Sequence, residues 1–216
     1  MVGASCASGA PELLVNGGGE EPVDIGWTLL QGDAGTTGPI PDSAGGFYGP
    51  DQGDRFIQLG PDTHTSVTQA GTFPFGAQRL FLEARIRTPG DSEVTVTLRG
   101  LDLDGSIEVE RSITISGLGE WTRVTRTYAI PSFAETWDLI IEAPSPGQFG
   151  VHADALSLIG TCRPDFNGDR LVNFFDISTY LALFQSGDPE ADLTGNGTID
   201  FFDINRLMSD IQFPCE

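Results

Sequence analysis

DFNGDRLVNFFDISTYLALF at residues 165–184 and DLTGNGTIDFFDINRLMSDI at residues 192–211 are one pattern written twice, 27 residues apart. Each copy places an oxygen-bearing side chain at positions 1, 3, 5, 9 and 12 of a twelve-residue loop. In the first copy these are Asp165, Asn167, Asp169, Asn173 and Asp176, with the carbonyl of Leu171 at position 7. In the second they are Asp192, Thr194, Asn196, Asp200 and Asp203, with the carbonyl of Thr198. A hard cation such as Ca²⁺ takes this ladder of oxygens, which predicts one ion per loop. Arg170 stands at position 6, where glycine normally supplies a positive φ, and Thr194 offers a hydroxyl where a carboxylate or amide is usual. Each departure weakens its site without abolishing it.

After each loop the apolar residues recur at i, i+3, i+4 and i+7: Ile177, Tyr180, Leu181, Phe184, then Ile204, Leu207, Met208, Ile211. One amphipathic helix is therefore predicted to follow each loop. At about 100° per residue, Phe174 and Phe201 fall beside the core stripe, whereas Phe175 and Phe202 point away from it. Val172 and Ile199, at position 8, are the apolar residues that would let the loops lie back to back. No comparable helix precedes either loop, which separates the pattern from the ordinary EF-hand. A loop followed by one helix, duplicated between cysteines, resembles the dockerin family, in particular its cysteine-bracketed type, over residues 162–216. The resemblance implies calcium-dependent folding and docking onto a cohesin-like protein. Its partner-reading surface would comprise Phe175, Ser178, Thr179 and Ala182 on the first helix and Phe202, Asn205, Arg206 and Ser209 on the second. The alternative for the aromatic pair is packing against the rest of the chain.

The cysteines are Cys6, Cys162 and Cys215, with no Cys-x-x-Cys pair and few histidines, so a zinc or redox site lacks ligands. A Cys162–Cys215 disulfide would staple the C-terminal module; a Cys6–Cys162 bridge would close the larger domain instead. Either suits an oxidising, calcium-rich exterior.

Upstream, short β-type runs bounded by Gly, Pro, Asp and Ser predict strands at 13–15, 27–31, 55–59, 66–70, 79–87, 93–99, 107–115, 122–128, 137–142 and 151–158. Their number and spacing predict two packed antiparallel sheets. Residues 32–54 read as a long Gly/Pro-rich loop, in which Phe47 and Tyr48 either form a binding rim or pin the loop down. Residues 13–20, 66–69, 120–122 and 153–158 resemble, in order, a family of galactose-binding-like jelly rolls used as carbohydrate-binding modules, with Gly19 standing where an aromatic is usual. The resemblance covers residues 11–160 and implies a structural calcium shared by Glu20 and Asp154. Their alternative is a solvated turn carboxylate and an aspartate satisfied by backbone N–H groups. Glycan recognition needs exposed aromatic faces flanked by polar groups. Trp27, Trp121 and Trp137 lie in or beside predicted strands, as core residues or sugar platforms, and Arg55, Gln58 and Tyr48 are candidates to line a cleft.

The fold class is thus mainly β: an antiparallel jelly-roll sandwich followed by a small helical dockerin-like module. Only residues 159–164 separate them, with no flexible linker, so the two are expected to hold a fixed angle. Arginine is the only strong base, and the net charge of −20 disfavours nucleic acid and anionic lipid while attracting divalent cations. No apolar run is long enough to span a bilayer, and no charged region followed by an apolar core after Met1 reads as a secretion signal. His64 and His152 lack catalytic contexts, and the carboxylate clusters are absorbed by the metal loops. The expected protein is extracellular and non-catalytic. Its partners are a cohesin-like protein or another copy of itself, and a glycan. The alternatives are a self-assembling structural subunit, or a small glycan hydrolase with an appended anchor.

Overall fold

The computed structural model describes residues 4–5, 12–38, 40–41, 47–48, 50–61, 63–73, 77–130, 134–147, 150–169 and 171–212. The strands are β1 (Ala4–Ser5), β2 (Thr28–Gln31), β3 (Ala34–Thr37), β4 (Ile40–Pro41), β5 (Phe47–Tyr48), β6 (Phe56–Leu59), β7 (Thr65–Thr72), β8 (Arg79–Arg87), β9 (Glu93–Leu101), β10 (Ile107–Ser116), β11 (Thr122–Ala129), β12 (Thr136–Ser145), β13 (Val151–Thr161) and β14 (Leu171–Val172). Helices α1 (Phe174–Ser186) and α2 (Phe201–Gln212) flank a 3₁₀ turn at Pro189–Ala191. Two five-stranded sheets run in the orders β10-β9-β12-β7-β2 and β11-β8-β13-β6-β3, every pair antiparallel.

Period-two alternation builds this sandwich. In β12, Trp137, Leu139, Ile141 and Ala143 face inward; in β8, Leu80, Leu82, Ala84 and Ile86 meet them. Each large aliphatic buried there stabilises the fold by about 1.5–3 kcal/mol relative to exposure. Trp27 belongs to the same core.

Segment 13–15 is not a strand. The Val15 N–H donates to Gln69 Oε1 at 2.7 Å and its carbonyl accepts from Gln69 Nε2 at 3.0 Å, so one glutamine side chain replaces a ladder partner. The expected loop at 32–54 contains β3, which pairs with β6, and a β4–β5 hairpin. Ala34-Gly35-Thr36-Thr37 is an edge strand of small residues with no apolar alternation to reveal it. The Phe47 and Tyr48 side chains lie outside the described residues.

The C-terminal residues pack around Phe166, Tyr180, Ala191 and Leu207, with Leu183, Phe184, Leu193, Ile199, Ile204 and Ile211 against them. The apolar stripe is narrower than the periodicity implies, because Leu181 and Met208 are exposed. Val172 joins Cys162 and Ile211 rather than Ile199, and its strand β14 pairs with β1. Cys162 is buried and disulfide-bonded. Cys6 and Cys215, and with them the choice of its partner, lie outside the described residues.

These helices are seated on the sandwich through β8. Arg79 is fully buried, donates from Nη1 to Glu190 Oε2 at 3.2 Å and from Nε to the Arg163 carbonyl at 3.0 Å, and lies 4.1 Å over the Phe166 ring. Glu190 also accepts from Arg111 Nε at 3.3 Å and from the Ala129 N–H at 2.9 Å, so one carboxylate ties both sheets to the 3₁₀ turn. Gly168 meets the sandwich too: a Cβ there would fall 2.2 Å from Phe81 Cγ, at φ +73°. Gly168→Ala should cost about 2–4 kcal/mol from overpacking and left-handed strain together. Gly187→Ala, at φ +71° with open space around it, should lose only the roughly 1–2 kcal/mol of strain. Equal losses in urea unfolding would disprove the contact's role.

Candidate functional site

In the first repeat, Asp165 and Asp176 are fully buried beneath the loop. Asp176 Oδ1 accepts from Phe166 N at 2.9 Å and Asn167 N at 3.2 Å, and Oδ2 from Asn173 N at 2.8 Å. Asp165 Oδ1 accepts from Gly168 N at 2.8 Å, Asn167 Oδ1 from Asp169 N at 2.9 Å, and Asp169 Oδ1 from Leu171 N at 2.8 Å. The side chains at positions 1, 3 and 5 each fold the backbone of the next turn. Positions 9 and 12 have a second duty, because Asn173 caps α1 and Asp176 closes the capping box.

The second repeat reproduces the ladder. Asp192 accepts from Gly195, Asn196 and Gly197 N–H groups, Asn196 from Thr198, and Asp200 from Phe202. Buried Asp203 accepts from Thr194 N and Oγ1, both at 3.0 Å, and from Asp200 N at 2.8 Å. The Thr194 hydroxyl thus binds the position-12 carboxylate, the geometric consequence of threonine at position 3. Burial raises the Asp176 carboxyl above the usual range against its N–H donors, and the Asp169 charge adds to the rise. Burial also pushes Asp203 up, but its hydrogen bonds outweigh that and hold it below the ordinary value.

No three His, Cys, Asp or Glu side chains form a ready metal cluster among the described residues. The loops instead interleave carboxylates with amide, hydroxyl and carbonyl oxygens, a donor mix suited to Ca²⁺ and unsuited to softer metals. The residues present therefore fit a hard cation.

Glu20 and Asp154 converge on one turn of the sandwich. Asp154 is fully buried; its Oδ2 accepts from Asp51 N at 2.8 Å and Gln52 N at 2.9 Å, and its Oδ1 from Ala155 N at 2.7 Å. Glu20 Oε1 accepts from Asp54 N at 3.0 Å and Arg55 N at 3.3 Å. A Cβ on Gly18 would lie 3.8 Å from Asp154 Oδ1 and 3.9 Å from Glu20 Cγ, so the two acids flank that glycine. Burial first, and the Asp51 charge last, hold the Asp154 carboxyl above its ordinary value. This too is an oxygen-only arrangement.

The outer face of the β8 sheet carries the aromatic set. Phe56 lies 5.6 Å from Trp121 and 4.8 Å from His152, and Trp121 and His152 are 6.2 Å apart, between ring centroids. Pairing places His152 opposite Gln58 and Arg87, and Asp154 opposite Arg85, which is 3.3 Å from Asp51. Trp121 is thus the tryptophan outside the core, whereas Trp27 and Trp137 are inside it. Gln58 joins this face and Arg55 is exposed at the adjoining turn. His64 pairs with Glu142 of β12, on the opposite sheet, at 2.6 Å.

Phe175 and Phe202 are 67% and 65% exposed, but Phe174 and Phe201, expected beside the core stripe, are 72% and 66% exposed as well. The helical angle gave a direction but not what lies opposite, and among the described residues none of these four rings belongs to a core cluster. The Phe174 and Phe175 rings stand edge to face at 6.4 Å. Ser178, Ala182, Asn205, Arg206 and Ser209 are exposed, with Arg206 paired to Asp210 at 3.0 Å. Thr179 departs from expectation: it lines a cleft against the sandwich. Among the described residues, Thr179 is thus the member of the predicted surface that faces the sandwich, whereas Phe202, Asn205, Arg206 and Ser209 on α2 are all exposed. Glu190 and Arg79 were missed by the sequence reading; a lone acid in a spacer and an arginine in outward strand register carry no local signal.

No family model matches the chain, and no curated protein matches it. Among solved structures, the enzymatically active domain of bacteriophage CBA120 tailspike protein 4 is similar at a TM-score of 0.55 and 13% identity, over 69% of this chain and 21% of that one. A family 16 carbohydrate-binding module is similar at 0.51 and 17% identity, over 68% of this chain and 99% of that one. The CBM22-1–GH10 modules of a Clostridium thermocellum endo-1,4-β-D-xylanase, complexed with xylohexaose, are similar at 0.50 and 16% identity, over 69% and 28%. The chain spans about a fifth of the tailspike chain's length. At such identities the likeness is one of fold: a mainly β, two-sheet sandwich of the carbohydrate-binding-module type. Among the described residues no helix is long and apolar enough to cross a membrane.

Proposed function

We propose that the chain is an extracellular, non-catalytic binding protein in which a glycan-holding sandwich is rigidly joined to a dockerin-like, calcium-stabilised docking module. The observation that carries this reading is the duplicated loop: the oxygens at positions 1, 5, 9 and 12 make the same backbone hydrogen bonds twice, and each loop is followed by a helix opening on two exposed phenylalanines. Asp165, Asn167, Asp169, Leu171, Asn173 and Asp176 would hold one ion, and Asp192, Thr194, Asn196, Thr198, Asp200 and Asp203 the other. Glu20 and Asp154 would hold a third in the sandwich. A bound Ca²⁺ supplies charge neutralisation and cross-linking of the loop; the chain's own carboxylates fix the loop and cap the helices.

The phenylalanines form the contact surface for a cohesin-like partner. Exposed aromatics at the start of two helices are characteristic hot-spot material. The exposed α2 set makes Phe201 and Phe202 the dominant contacts. A Cys162–Cys215 bridge closes the module. Glycan contacts come from the half-buried Trp121, Gln58 and Arg85 on that face, the aromatic and polar set a sugar site needs.

Glycan-array screening of the full chain tests the sandwich: binding that drops at least about tenfold in Trp121→Ala, with the fold intact, is expected. Binding unaffected by that substitution sinks the assignment of the face. Light scattering at saturating calcium tests the alternative partner, because growth in particle size of the pure protein would replace the cohesin-like partner with another copy of the chain.

A further inference from the structure

A cleft of about 380 Å³ runs between the edge strands β10 and β11 and the turn at Pro189–Ala191, within the size range of small-ligand sites. It lies apart from the calcium loops' outer surface and from the aromatic sheet face. Phe81, Ile113 and Phe166 give it apolar walls, and Thr125 and Thr127 bring hydroxyls.

Its charge is balanced, unlike the molecule's. In a chain of net charge −20, the cleft's Arg111 and Arg126 offset its Asp188 and Glu190. Glu190 is consumed by Arg79 and Arg111. Arg126 donates from Nη1 to the Thr125 carbonyl at 2.9 Å and has no carboxylate partner among the described residues. The Tyr128 side chain is 94% buried by the residue's 6% exposure, and its hydroxyl has no hydrogen-bond partner. Burial holds the Tyr128 phenol well above its ordinary pKa, with Glu190 and Asp188 adding to the rise, so it remains a donor. With Glu190 already paired, donors without acceptors in this half-apolar cleft call for an amphipathic anion. Asp188, which uses Oδ1 on the Glu190 N–H at 2.9 Å, faces the cleft as an acceptor for ligand hydroxyls.

We propose that this junction cleft binds a carboxylated sugar, a uronic acid unit, with its carboxylate on Arg126 and the Tyr128 hydroxyl and its ring hydroxyls toward Asp188 and Thr127. The unit is either a free monosaccharide or the end of an acidic polysaccharide, two sources sharing one chemistry. The site is separate from the sheet face proposed above, so either can fail while the other stands.

The test is calorimetric titration of the full chain, at one fixed calcium concentration, with galacturonate, glucuronate, a galacturonate oligomer, galactose, glucose and acetate. Binding of at least one acidic sugar is expected, with the neutral sugars and acetate silent. Tighter binding of the oligomer assigns the polymer end, and equal binding the free unit. Tyr128→Phe and Arg126→Gln should each weaken binding about tenfold, the loss of one charge-assisted hydrogen bond. Tyr128→Phe removes an unpartnered hydroxyl, so its melting temperature should hold or rise, which separates lost binding from lost folding. No heat with any acidic sugar overturns the proposal, as does binding that survives both substitutions. Equal binding of galactose or acetate also overturns it.

Discussion

Glu190→Ala is expected to destabilise the protein by about 3–5 kcal/mol, the loss typical when one member of a buried ion pair is removed. Arg79 is fully buried in the outward register of β8, covered by Phe166 and by the turn that carries Glu190. Burial already pulls its guanidinium below the ordinary value, and the Glu190 charge offsets this. Without that carboxylate the guanidinium must seek water, which lifts the 3₁₀ turn from the sandwich. The Ala129 N–H on the edge strand and the Arg111 side chain lose their acceptor in the same step. Glu190→Gln, which keeps acceptor capacity but not charge, should fall between wild type and alanine. The double variant Arg79→Met with Glu190→Leu should recover much of the loss, because an apolar pair of similar volume avoids burying charge. Urea unfolding followed by circular dichroism reads all three. A loss below about 1 kcal/mol for Glu190→Ala would mean that the pair behaves like an exposed salt bridge and does not hold the junction.

That junction shows where sequence reading stopped. Residues 79–87 and 93–99 were legible as strands because alternation is local, and the oxygen ladders were legible because their ligands lie within twelve residues of one another. Arg79 in the run RLFLEARIR takes an outward position, which alternation assigns to solvent; its burial depends on a turn more than a hundred residues later. The same limit explains segment 13–15, where the distant Gln69 side chain takes both backbone groups of Val15 and Leu13 keeps one bond to the Leu158 carbonyl. β3 escaped for a different reason: small residues at a sheet edge bury too little to leave a pattern. For the helices, 3.6 residues per turn correctly separated Tyr180 and Leu207, both buried, from Phe175 and Phe202. It erred on Phe174, Phe201, Leu181 and Met208, since a wheel gives an angle and only a neighbour gives cover. Thr179 is the converse case, where the sandwich supplied a neighbour that the helix alone does not imply.

Chelation should split the thermal unfolding. With calcium saturating at about a hundred times its dissociation constant, each loop gains about 2.7 kcal/mol by mass action, and excess chelator removes it. The loss falls on the C-terminal residues, whose core rests on Phe166, Tyr180, Ala191 and Leu207 and is too small to hold without help. Metal effects and cap effects must be separated, because Asp176 serves both: three backbone N–H groups and the α1 capping box depend on it. Asp176→Ala therefore destabilises even the calcium-free protein, by about 1–3 kcal/mol for the orphaned donors. Asp169 is exposed, and its carboxylate accepts from Leu171 N at 2.8 Å, a bond an amide oxygen can keep. Asp169→Asn gives up only the exposed bond that Oδ2 accepts from Asn167 Nδ2 at 3.0 Å, so it should leave the calcium-free melt nearly unchanged while lowering calcium affinity through the lost charge. The contrast is the decisive part. If Asp169→Asn and wild type bind calcium alike, or if chelator leaves the wild-type melt where it was, the loops are hydrogen-bonded turns whose carboxylates exist to cap helices, and the proposed docking surface at Phe201 and Phe202 is held up without any ion.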